Sequence, residues 1–201
     1  MSAAGRPLVH RDPTGFVSPF DPVAWPAVDR RYRRALETFA IRLGMSDIDA
    51  EDIAQETLGA LAVAVRNGRF DPASSDVSDY LFGVARKRVA LAVRKRYGVP
   101  ARVLSLTETW IDTIPESPRE RAIWEQTWAV SNLTHCLEIV RAGADAAKFR
   151  MFLLRIRGRR SIQDIAREEG VDPIVVYKAV YEMKRRLHHL LKGLTRDASA
   201  A

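Results

Sequence analysis

Asp47, Asp49, Glu51, Asp52 and Glu56 crowd into ten residues of this chain, and carboxylates at that density first suggest metal-assisted hydrolysis. Such chemistry needs ligands that converge on one ion. On a helix, residues 49, 51 and 52 point in different directions, and no histidine lies near them. His188 and His189 are adjacent on a helix and cannot chelate from one face. His135-Cys136 has no second pair at zinc-ligand spacing. Nor is there a glycine-rich loop to cradle a phosphate. A metal-dependent hydrolase is therefore the weakest reading. The expectation is a protein with no catalytic residue, no metal and no other cofactor.

The acidic stretch makes better sense as a surface. Wound into a helix, Ile53, Ala54, Thr57, Leu58, Leu61 and Val65 form one apolar stripe. Asp52, Gln55 and Glu56 project from the other side, and Gly59 and Val63 continue their row. A mid-helix glycine costs about 1 kcal/mol relative to alanine, and a valine gains nothing from facing water. Both suit a face that another helix approaches closely. These five residues are the candidate docking surface.

Charge placement points to a polyanion. The net charge is +7 and the isoelectric point near 9.9, which favours such a partner. Between Asp29 and Asp79 acids outnumber bases 10 to 7. Arg86-Lys87-Arg88 and Arg94-Lys95-Arg96 then follow with no acid between them. A protein that opens a duplex must stack on unpaired bases and hold the backbone by charge. Those six basic residues supply the charge, while Phe70 and Tyr80 supply rings; Phe82 is expected in the core. Tyr80 is the stronger candidate for a base.

A second basic zone runs from 145 to 196, where bases outnumber acids about two to one. Within it Ser161 can cap a short helix over 161–169, Gly170 can turn the chain, and Asp172-Pro173 can open another helix. Small Ala166, a glycine four residues on and Val176 match a helix-turn-helix, whose crossing needs a small residue and whose turn needs glycine. The inward stripe of the second helix is Val176, Val180, Met183, Leu187 and Leu190. Opposite it lie Ile174, Lys178, Tyr181 and Arg185, flanked by Tyr177 and Lys184, and this face would enter a major groove. Arg157, Arg159 and Arg160 precede the motif, placed for phosphates.

These patches require helices almost throughout. The fold class read from the sequence is all-α: two small helical domains on a flexible linker, the C-terminal one a helix-turn-helix. A stripe of Val28, Tyr32, Leu36, Phe39 and Leu43 forms the first helix, which Gly44 ends. Asp49 is the expected N-cap of the second, Asn67-Gly68 its stop, and a third helix covers 77–97. Three prolines and weak periodicity mark a linker over 99–118. Residues 1–21 read as a flexible arm, 22–98 as the first domain, 119–194 as the second and 195–201 as a tail. No apolar run approaches membrane-spanning length, the arm lacks the apolar core of a signal peptide, and a lone Cys136 suits a reducing cytoplasm.

Together these parts resemble the extracytoplasmic-function group of bacterial RNA polymerase sigma factors, over about residues 22–191. Asp49-Ala50-Glu51-Asp52-Ile53-Ala54-Gln55-Glu56 is similar to the family's polymerase-binding segment. The resemblance implies that Asp52, Gln55 and Glu56 meet the clamp helices of the largest polymerase subunit. Ser78-Asp79-Tyr80-Leu81-Phe82-Gly83-Val84-Ala85-Arg86 resembles the promoter-melting segment, which implies binding of the −10 element. The terminal helix-turn-helix resembles the module for the −35 element. Lys87 and Leu91 stand where the family often has Asn and Asp, and Tyr80 where Trp is commoner. Core polymerase, with its largest and beta subunits, and promoter DNA are the implied partners. An anti-sigma protein, which often holds members of this group, is a further one. The competing reading is a conventional helix-turn-helix regulator that binds DNA without polymerase; it leaves the Asp52, Gln55, Glu56 face unexplained.

Overall fold

The computed structural model describes residues 25–71, 75–96 and 115–199, and these contain seven helices and no strand. The arm over 1–21 and most of the expected linker lie outside the described residues. The chain divides into two compact units between Ser131 and Asn132.

The first unit holds α1 (Trp25–Arg42), α2 (Asp47–Arg66), α3 (Val77–Arg96) and the first half of α4 (Pro118–Ala142). In α1 the expected stripe is buried from Val28 to Phe39, with Leu43 half-buried at its end. Gly44, at φ +90°, reverses the chain there, a conformation that is cheap for glycine alone. α2 lays Ile53, Ala54, Thr57, Leu58, Leu61 and Val65 inward, all of them buried. Ala54, Leu58, Leu61 and Val65 meet Leu36 and Phe39 of α1 and Leu81, Phe82 and Ala85 of α3 in one core, while Ile53 packs with Ala40, Met45 and Val89 in a second. Each such large apolar side chain contributes about 1.5–3 kcal/mol by leaving water.

The start of α2 corrects the sequence expectation. Ser46, not Asp49, is the N-cap: its Oγ accepts from the Asp49 N–H at 3.2 Å and donates to the Asp49 carboxylate at 2.7 Å. Asp49 thus stands three residues into the motif, in the position where a capping box carries an acidic or amide side chain. Its carboxyl is held below the usual range by the Ser46 hydroxyl first and by Arg96 as well. At the other end Gly68 adopts φ +66°, as the Asn67-Gly68 stop requires. Asp76 opens α3, accepting from the N–H groups of Ser78 and Asp79 at 2.6 and 3.1 Å.

The first unit also takes in a piece of chain beyond the expected linker. Trp124 of α4 is 1% exposed and stands edge-on to Phe39, with ring centroids 5.3 Å apart. Trp128 stacks on Tyr32 at 5.2 Å and on Trp124 at 5.3 Å. Arg42 of α1 donates to Gln126 at 2.9 Å and to Thr127 at 3.3 Å. Helical periodicity shows that residues 118–131 are helical, but not which core they join.

The second unit comprises the rest of α4, α5 (Ala146–Ile156), α6 (Ile162–Glu169) and most of α7 (Pro173–Ser199). Each short helix carries its own cap. Asp145 accepts from Ala147 and Lys148 N–H, Ser161 from Asp164 N–H, and Asp172 from Ile174 N–H. Gly170 sits at φ +65° and joins α6 to α7. Ile165 and Ala166 pack on Val176, Ala179, Val180 and Met151, while Met183 packs with Val140 and Phe152. Lys148 reaches Glu182 at 3.1 Å and Arg186 donates to Gly143 O at 2.9 Å, bracing α7 against the preceding segments.

Candidate docking and nucleic-acid interfaces

The outer face of α2 is open. Asp52, Gln55, Glu56 and Gly59 are exposed, and Val63 keeps 44% of its surface in water. A methyl group built on Gly59 would meet nothing within 4 Å. Packing inside the unit therefore does not demand glycine there, although helix propensity penalises it. The face is joined to α3 by charge. Glu56 pairs with Arg88 at 2.9 Å, and Asp49 with Arg96 at 3.1 Å.

Those two pairs revise the expected basic row on α3. Of its six members, Arg88 and Arg96 turn onto acids of α2, and Arg96 also reaches Gly44 O at 3.4 Å. Arg86 donates to Pro115 O at 3.3 Å. Arg86, Lys87, Arg88 and Arg94 are half-buried, while Lys95 and Arg96 are exposed. Alternating charge between neighbouring helices is invisible in a linear count. Exposed pairs of this kind contribute about 0–1 kcal/mol, so a phosphate can compete for either arginine.

The two rings expected to stack on bases are placed differently again. Phe70 is buried, at 7% exposure, with its ring 4.7 Å from that of Tyr80. Tyr80 is half-buried, donates its hydroxyl to Ala60 O at 3.3 Å, and has its phenol pushed up by burial. Phe70 follows the turn after α2, and its apolar ring seals the end of the core. Offering it to a base would expose that core. Phe82 is 1% exposed and belongs to the core, as expected.

Two residues of this region carried no signal in the sequence. Arg121 of α4 pairs with Asp79 at 2.6 Å, pairs with Glu116, and lays its guanidinium 4.1 Å over the Phe82 ring. Trp124 donates its indole N–H to Ser78 Oγ at 2.9 Å. Ser78, Asp79 and Phe82 of α3 are thereby tied to α4. Donating hydrogen bonds to Glu116 and then to Asp79 raises the Arg121 pKa further, so the guanidinium stays charged.

In the second unit the outward face of α7 carries the residues read from the sequence. Ile174, Tyr177 and Tyr181 are 61%, 58% and 57% exposed, and Lys178, Lys184 and Arg185 are exposed as well. The two tyrosine rings lie parallel within 13°, their centroids 6.4 Å apart. Before α6 the arginines separate in role. Arg159 is exposed and held at φ +48°, whereas Arg160 pairs with Glu168 and gives its carbonyl to Arg155 at 2.8 Å. A left-handed arginine costs about 1–2 kcal/mol, and these neighbouring bonds offset it.

No group of three or more His, Cys, Asp or Glu among the described residues is arranged to hold a metal. No described helix is long and apolar enough to cross a membrane. In comparison with known proteins, residues 28–98 match the family model of sigma-70 region 2. No curated protein matches the chain.

Proposed function

We propose, from the match of residues 28–98 to sigma-70 region 2, that this chain is a sigma factor of the extracytoplasmic-function group. It binds core RNA polymerase and directs it to promoters, working in the cytoplasm where polymerase and chromosome meet. The observation that carries this reading is the coincidence of the match with the helical unit whose α2 exposes Asp52, Gln55, Glu56, Gly59 and Val63. α2 docks on the clamp helices of the largest subunit, with the beta subunit as a further contact. The basic side of α3 follows the −10 element, and α7 enters the major groove at the −35 element in the manner of a helix-turn-helix. An anti-sigma protein is the regulator that this group implies.

The division of labour follows from the chemistry of each face. Docking surfaces need exposed groups that keep their shape when free, and the capped, packed α2 provides them. Promoter opening needs cations beside the separated strands, and stacking contributes about 1–3 kcal/mol per base where a ring is available. Tyr80 serves only if it swings out from Ala60.

A helix-turn-helix regulator that ignores polymerase is the second reading, supported by the Ser161 cap, the Gly170 turn and the Asp172 cap around α6 and α7. Size-exclusion chromatography of the chain with core polymerase separates the two. Co-elution is expected, and the Asp52→Ala, Gln55→Ala, Glu56→Ala triple variant should lose it while its circular dichroism stays unchanged. DNA binding without co-elution would favour the regulator.

A further inference from the structure

Resting on the reading of α7 as a DNA-contacting helix, we propose that the chain selects its upstream element by the C5-methyl groups of thymine, packed against Ile174, Tyr177 and Tyr181. Single exposed apolar residues are ordinary on a protein surface. Three on one helix face, each more than half exposed, form a patch. The spacing is i, i+3 and i+7, which keeps them in register along α7. The Tyr177 and Tyr181 rings lie parallel, so this part of the stripe is already ordered in the free chain.

Charge around the stripe decides what it fits. Lys178, Lys184 and Arg185 interleave with it, and all are exposed. Glu182 is the only carboxylate on α7 before Asp197. It is drawn to the side by Lys148 at 3.1 Å and Arg186 at 2.8 Å. An apolar strip inside a field of cations matches a polyanion with apolar knobs. The major groove offers one such knob, the thymine methyl, and beside it the guanine O6 and N7 that a lysine or arginine can reach. Ile174 lies in the first turn of α7, the part of a recognition helix that meets base edges. Seven residues of helix rise about 10 Å, about three base steps. The selected thymines should therefore fall within a window of three or four base pairs, next to a guanine read by Lys178 or Arg185.

The test uses the full chain bound to core polymerase and a duplex pool randomised upstream of a fixed −10 segment. Selection should return thymine at one or two neighbouring positions. Replacing those thymines by uracil deletes the methyl and keeps the pairing. Affinity should fall about fourfold per position, the equivalent of ~0.8 kcal/mol for one buried carbon. Ile174→Ala and the Tyr177→Ala, Tyr181→Ala double variant should bring the thymine-to-uracil ratio toward one. Lys178→Ala should weaken binding while leaving that ratio intact. A wild-type ratio near one, or a ratio that the stripe variants do not change, overturns the inference while promoter binding stands. If the stripe variants instead lose co-elution with core polymerase, the patch docks protein and the inference also falls. If the stripe variants, Lys178→Ala and Arg185→Ala all leave the selected sequence unchanged, α7 reads no bases, and the reading beneath the inference fails with it.

Discussion

Tyr80 shows how one hydroxyl can separate packing from function. Tyr80→Phe keeps the ring and removes the bond to Ala60 O. It should cost about 0.5–1.5 kcal/mol in a urea titration and leave thymine reactivity to permanganate in the opened promoter at the wild-type level or above it. Tyr80→Ala removes the ring as well, and reactivity should drop if the ring stacks on a base. At the helix caps, Asp49 and Asp164 are both held below the usual carboxylate range, chiefly by the hydroxyls of Ser46 and Ser161. A carboxylate depressed in the folded state stabilises it above the ordinary carboxylate pKa. That contribution disappears as pH falls through the depressed value. The Asp49→Asn, Asp164→Asn double variant should accordingly flatten the acid limb of helicity against pH, read by circular dichroism. Single residues were unevenly legible in the sequence. The Ser161 and Asp172 caps and the αL glycines follow from local chemistry alone. Ser46 and Asp49 are both legal caps, and only the hydrogen bonds between them decide the order.

Two glycines make opposite predictions for the elements that carry them. Gly59 faces open space on α2, so Gly59→Ala should stabilise the free chain by about 1 kcal/mol through helix propensity. The same methyl should weaken binding to core polymerase if a partner helix approaches that row, and a binding titration beside a melting curve reads both effects. At Gly158 a methyl would lie 2.6 Å from Leu154 O. Gly158→Ala should thus destabilise the link between α5 and α6 by about 1–3 kcal/mol, measured by thermal unfolding. Elements were the most legible scale. The described helices and the α6–α7 turn follow from 3.6-residue periodicity and from Gly and Pro. What periodicity withheld was which element touches which. It did not show that Arg88 and Arg96 answer Glu56 and Asp49, that Phe70 closes a core, or that Trp124 crosses to Phe39 and Ser78. Those facts belong to contacts distant along the chain, where a hydrophobic stripe says only that something covers it.

For the whole molecule, the expected boundary near residue 119 and the structural division at Ser131 differ by the first half of α4. Residues 118–131 bury Trp124 and lend Trp128 to a stack with Tyr32. Trp124→Ala should therefore cost the first unit about 3–5 kcal/mol, whereas removing the chain after Ser131 should leave that unit folded. The same aromatic cluster has an optical consequence. Every tryptophan in the chain lies at or before residue 128, and residues 132–196 contain none. Trp25, Trp124 and Trp128 all pack in or against one core. Emission from the described tryptophans is thus a signal of the first unit, and the stacked Tyr177 and Tyr181 are the only tyrosines between residues 132 and 196. Denaturation followed by tryptophan fluorescence and by far-ultraviolet circular dichroism should give non-coincident curves wherever the two units differ in stability, and the gap between them is that difference written in light.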